Sequence, residues 1–255
     1  MFGGGQPQPK GMIQPLWDLL GIDVPGQPSQ MGFYAPNLAW QQYNPYPILE
    51  AMQQSSDLWI FVREESPGED ACFNPENEIT AGLKELLFLF SGTLKQKNGA
   101  KTIFTPLVST GDFSGNIPIA ELRSIARGNL DRATEIRNRR GKALGPQTIA
   151  AMIESKEALN TESEEGAPKG RPLKVVYVSD VDCMASAFVD IRKNPDQLEG
   201  VEFQFQNITF VLNTIDVLAG ETKYPAIRRH VPTYSTLKLV EARADEERQI
   251  GRAHV

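Results

Sequence analysis

The chain has 255 residues, 40% of them hydrophobic and 23% charged, which is the composition of a globular protein large enough for one sizeable core. Its net charge of −6 speaks against a duplex nucleic-acid partner, which calls for a basic surface. Nowhere does it carry the run of about 18 apolar residues that a membrane-spanning helix needs.

Residues 1–11, MFGGGQPQPKG, are a flexible lead-in built of Gly, Gln and Pro. The apolar spacing of Met12–Leu20 predicts a short helix, with Pro15 near its start and Gly21 just past its end. Residues 22–47 are rich in proline and aromatic residues and read as an ordered loop against which Trp40 and Tyr43 pack. The segment Asp57–Arg63, DLWIFVR, has the apolar, aromatic character of a buried strand. An acidic loop follows over residues 64–78. Ile79–Phe90, ITAGLKELLFLF, begins with helical character and ends with strand character. Thr102–Val108 predicts a strand at a sheet edge or ending at Pro106, because proline donates no hydrogen bond to a ladder.

Apolar residues between Ile119 and Ile136 recur as a helical stripe, with an arginine cluster extending over 123–142. Its default role is a solvated, ion-paired face. Thr148–Ile153 is a short strand candidate, and residues 154–171 read as a polar surface insertion. Leu173–Val178 is the clearest strand in the chain. It runs into Ser179-Asp180-Val181-Asp182 and then a helix around Met184–Arg192. Asn207 reads as the N-cap of a helix over Ile208–Ala219, stopped by Gly220. Residues 225–232 read as extended, between Pro225 and Pro232. From Ser235 a charged helix runs into the closing QIGRAHV. Strands alternating with helices indicate an α/β layer architecture, a sheet flanked by helices, forming a single domain over 12–234 with the start of a charged helix over 235–255. The loop-like opening and the helix running out at the close suggest a segment cut at both ends.

Ser179, Asp180 and Asp182 are the sharpest candidate ligand site. They lie between a strand and a helix, where open α/β sheets bind ligands, and two carboxylates there can hold a divalent cation or work as acid and base. Against that stands a plain structural role, with Asp180 closing the loop and Asp182 capping the next helix. Cys183 at the same turn has no base to activate it. The two histidines are His230 and His254, and neither is tied to it by sequence. No catalytic set, metal site or cofactor is therefore assigned. Cys72 and Cys183 lie far apart with no CxxC pair, which argues against a thiolate metal site, and they read as buried free thiols, with a single disulfide the alternative in an oxidising compartment. A second candidate surface is Trp40, Tyr43, Asn44 and Tyr46, a stacking platform of the kind that takes carbohydrate, with an Asn-Pro turn as the plain alternative.

Five blocks occur in order: Trp40–Pro45, Ile79–Phe88, Phe104–Thr110 with Ser114-Gly115, Val175–Asp182, and Asn207–Asn213 leading to Leu218-Ala219-Gly220. Together they resemble the auxiliary component of ABC-type transport systems, a group that includes gliding-motility-associated transporter proteins. The resemblance implies a class I glutamine-amidotransferase-like α/β sandwich without catalytic residues. It also implies a place outside the bacterial inner membrane, anchored by helices beyond this chain, with an ABC permease and ATPase as partners. The function it implies is binding and coupling rather than bond chemistry. Two other readings stand beside it: a degenerate metal-dependent hydrolase or amidotransferase-like enzyme using Asp180 and Asp182, and a cell-wall carbohydrate-binding module.

Overall fold

The computed structural model of the chain describes residues 12–28, 34–51, 56–64, 66, 72–119, 121, 140–158, 171–194 and 203–229. The lead-in, nearly all of the Ile119–Ile136 stripe, the greater part of the 154–171 insertion, both histidines and the helix expected from Ser235 lie outside these residues.

Helix α1 spans Gln14–Leu20, with proline in its first turn and Gly21 closing it at φ 67°, a left-handed conformation that favours glycine. The proline-rich stretch after it holds more structure than a loop: strands β1 (Ile22–Asp23), β2 (Gly26–Pro28), β3 (Tyr34–Pro36) and β4 (Leu38–Gln41), then α2 (Pro47–Ala51). These strands are two to four residues long, so no alternation of apolar and polar residues develops to announce them. Strands β5 (Trp59–Arg63), β6 (Glu85–Leu89), β7 (Lys95–Gln96), β8 (Ile103–Ser109), β9 (Ser114–Ile117), β10 (Thr148–Ala158) and β11 (Pro172–Val178) follow. A 3-10 turn at Asp182–Met184 leads to α3 (Ser186–Lys193), α4 (Asn207–Leu218) and α5 (Lys223–Arg229).

All the described ladders are antiparallel. The central sheet has the order β11-β10-β8, and β5 pairs with β6. Side chains alternate across both units as the pleat requires. From β11, Val176 and Val178 join the main core, while Leu173, Val175 and Tyr177 pack with Trp17 and Leu20 of α1. From β5 and β6, Ile60, Val62, Leu86 and Phe88 face the main core with Phe210 and Val217 of α4. Phe61 and Leu87 face the other way, towards Tyr46, Phe188 and the aromatic pair Phe203 and Phe205.

Strand β8 is at an edge of its sheet, as Pro106 foretells. Its outer rim is partly covered: the Asn74 N–H donates to the Leu107 carbonyl at 3.0 Å, the Ser109 N–H donates to the Cys72 carbonyl at 2.9 Å, and Asn74 Nδ2 reaches the Pro106 carbonyl at 3.0 Å. Residues 223–229 are helical, which corrects the extended reading of that stretch. Pro225 falls in the first turn, where its missing N–H would have had no partner. Asn207 is also not a side-chain cap. The cap residue is Gln206, without a side-chain bond, and Asn207 is the first residue of α4.

Candidate functional site

The loop after β11 is held by backbone bonds on both sides. The Ser179 N–H donates to the Ile149 carbonyl at 3.0 Å, and the Ser179 carbonyl accepts from the Gly92 N–H at 2.9 Å. The Asp180 side chain is buried, at 7% exposure, and both its oxygens are used. Oδ2 accepts from the Leu89 N–H at 2.8 Å and Oδ1 from the Asp182 N–H at 2.7 Å. Burial pushes the Asp180 carboxyl above its ordinary value, against the pull of those N–H groups. Asp182 is exposed, and its nearby charge adds to that rise. Neither the 3-10 turn nor α3 has a side-chain cap, and Asp182 accepts from the Ala185 N–H through its backbone carbonyl instead. The loop-closing role falls to Asp180, and the helix-capping role expected of Asp182 is filled by no side chain. Ser179 Oγ is enclosed and has no hydrogen-bond partner.

The chemistry at Cys183 runs opposite to that of a nucleophile. Burial, with the nearby Asp180 and Asp182 charges, pushes its thiol up to about 11, away from the thiolate. Cys72 and Cys183 are both free and buried. Among the described residues, no three His, Cys, Asp or Glu side chains gather as metal ligands would.

The aromatic surface proposed from sequence is largely interior. Trp40 is 2% exposed, and its ring lies 3.0 Å from where a Cβ on Gly115 would stand, so glycine there leaves room for it. The Arg140 guanidinium sits 4.7 Å from the Trp40 ring centroid, pairs with Asp57 at 2.6 Å and reaches Gln42 at 3.1 Å. Asn44 Oδ1 accepts from the Tyr46 N–H at 2.8 Å, the Asn-Pro turn expected as the plain reading. Tyr46 is buried among Phe61, Phe203 and Phe205. Tyr43 is half-buried against the same cluster. Rings enclosed in this way offer no open stacking face for a sugar. Within the arginine cluster, Arg140 has this pairing and Lys142 is exposed; positions 123–139 lie outside the described residues.

Two polar anchors have roles that the sequence reading did not assign. Glu85 has a side chain 0% exposed, and its Oε2 accepts from Arg63 Nε at 2.9 Å and from the Tyr46 hydroxyl at 3.0 Å. Its Oε1 has no hydrogen-bond partner. Asn207 pairs with Leu87 as a strand would: Oδ1 accepts from the Leu87 N–H at 3.1 Å, and Nδ2 donates to the Leu87 carbonyl at 2.7 Å. The signal for Glu85 was available, since a carboxylate inside the apolar run ELLFLF must find a partner. The signal for Asn207 was misread, because Asn before a helical stripe looks like a cap.

No curated protein and no solved structure matches the chain. A family model described as an ABC-type uncharacterized transport system matches residues 33–214, which hold β3 to β11, α2, α3 and most of α4, and with them the Asp180 loop and the Glu85 and Asn207 anchors. A match over well over half its length assigns the chain to that ABC-type transport-system family.

Proposed function

We propose that this chain is a non-enzymatic, extracytoplasmic auxiliary domain that binds and couples the other subunits of a bacterial ABC transporter. The family match over residues 33–214 carries the transport part of this reading. The non-enzymatic part rests on the fate of each candidate group. Both Asp180 oxygens serve backbone N–H groups, Asp182 is exposed to solvent, and the Cys183 thiol is held protonated. These side chains are arranged to fix a loop rather than to make or break bonds. The finer expectations from the sequence blocks, a gliding-motility type of system and a glutamine-amidotransferase-like layering, belong to the same proposal. A sheet with α1 on one face and α4 on the other supports the layering.

The test is chemical cross-linking in intact cells, followed by purification of the chain and identification of what is attached. An ABC permease and ATPase among the cross-linked proteins support the reading; their absence from cells that express them overturns it. Calorimetry with Mg²⁺, Ca²⁺ and Mn²⁺ tests the metal-dependent alternative. Heat that disappears in Asp180→Asn with Asp182→Asn would revive the hydrolase reading.

A further inference from the structure

Strand β11 has one rim bonded and one rim open. In an antiparallel ladder every second residue turns both its N–H and its C=O to the neighbouring strand, and the residues between turn theirs away. The Ser179 N–H donates to the Ile149 carbonyl at 3.0 Å and the Leu173 N–H to Ser155 Oγ at 2.7 Å, so Leu173, Val175, Tyr177 and Ser179 face β10. The backbone groups of Lys174, Val176 and Val178 therefore face outward, and among the described residues nothing bonds to them. The opposite rim of the sheet, at β8, is partly covered by residues 72–74.

The sequence of β11 is that of an interior strand. Val175-Val176-Tyr177-Val178 is apolar without alternation, and both faces are covered. Val175 and Tyr177 pack with Trp17 and Leu20 of α1, and Val176 and Val178 join the main core with Phe210 of α4. All four are nonetheless only half-buried, whereas Ala150, Ala151 and Ile153 beside them on β10 are fully enclosed. The exposure that remains is lateral, along the open rim. An apolar rim of this kind is a template for a further strand.

In the antiparallel sense β11 is its own complement. Pairing about a two-fold axis at Val176 sets Val176 opposite its twin and Lys174 opposite Val178 of the other copy, which uses every outward residue. Arg171 and Lys174 are exposed at the start of the strand and Asp182 just past its end, so this pairing brings the basic end of each strand towards the acidic end of the other. Parallel pairing would set like charges together. We propose that the β11 rim is a self-association surface, through which two copies of this chain join β11 to β11 in antiparallel register as one continuous sheet. The contact is independent of the transport reading above and is tested without an ABC subunit.

The experiment is disulfide trapping in the full chain, beside sedimentation over a wide range of protein concentration. Both natural cysteines are buried, so the background is low. In the proposed register the two Val176 Cα atoms stand about 5.5 Å apart, inside the span of about 4.4–6.8 Å that a disulfide bridges, while the two copies of Lys174 are offset along the strands by about 13 Å. Under copper-phenanthroline oxidation Val176→Cys is expected to form a linked dimer at least about tenfold faster than Lys174→Cys, with tryptophan emission unchanged to show that the core is intact. Lys174→Cys mixed with Val178→Cys is expected to give the mixed dimer, which reads the same register without touching Val176. Sedimentation of the native chain is expected to show monomer and dimer in exchange. A native chain that stays monomeric at every concentration overturns the proposal. So does a dimer in which Lys174→Cys links as fast as Val176→Cys, because the contact then lies elsewhere. If Val176→Cys is protected from maleimide only in cell extract, the rim takes a strand of a different protein and self-pairing is overturned.

Discussion

The Asp180 loop and the Glu85 cluster each bury a carboxylate, and they satisfy it by different means. Asp180 receives two backbone N–H groups and, among the described residues, no side-chain cation. Glu85 receives a guanidinium and a phenol, and keeps one oxygen without a partner. The first arrangement fixes the path of a loop. The second ties β5, β6 and the segment before α2 into one aromatic cluster. A buried acid is therefore no sign of chemistry in itself; its partners decide whether it is a brace or a reactive group.

The largest expected loss is in Glu85→Ala, which leaves Arg63 and Tyr46 without their acceptor. Removing one partner of a buried pair costs about 3 kcal/mol or more; the partial exposure of Arg63, 27%, holds the estimate at that lower end. Urea unfolding measures it, and a loss below that of Asp180→Ala would erase the distinction between the two sites. Asp180→Ala orphans the Leu89 and Asp182 N–H groups and is expected to cost about 2 kcal/mol. Asp180→Asn, which keeps one acceptor oxygen, should recover part of this. Arg140→Met calibrates the scale with a partly open pair: the Asp57 contact and the Trp40 stacking together are worth about 1 kcal/mol.

The last effect is a slope. Burial raises both the Glu85 and the Asp180 carboxyls above their ordinary values. The folded chain then keeps these protons to higher pH than the unfolded chain does. Their contribution to stability falls as pH rises from the ordinary carboxylate range through the raised folded values. Urea midpoints measured across that range should decline less steeply in Glu85→Gln than in the native chain. Identical slopes would mean that Glu85 does not titrate in the window.

Much of the strand framework was legible because β5, β8 and β11 are runs of apolar and β-branched residues long enough to show a period. The short strands β1 to β4 were not, since two to four residues carry no period, and the partners of β1 and β4 are distant in sequence. Helix α5 was hidden by Pro225, which a first helical turn tolerates. At the loop, Asp180 was found because it follows a conspicuous strand. That its two oxygens would both be spent on backbone N–H groups, one of them 91 residues away at Leu89, is a fact of three-dimensional closure. Asn207 shows the same limit. Its side chain serves Leu87, 120 residues earlier, and local pattern has no access to that pairing.

The covering of β8 by Cys72–Asn74 has a consequence for how copies of this chain can meet. Phe73 bridges Val108, and Pro106 lies in the same strand. Lateral growth of a sheet needs two free rims, one to receive a strand and one to pass the template on. The β8 rim of the β11-β10-β8 sheet is partly occupied in this way, which narrows the edge open to a strand from another copy.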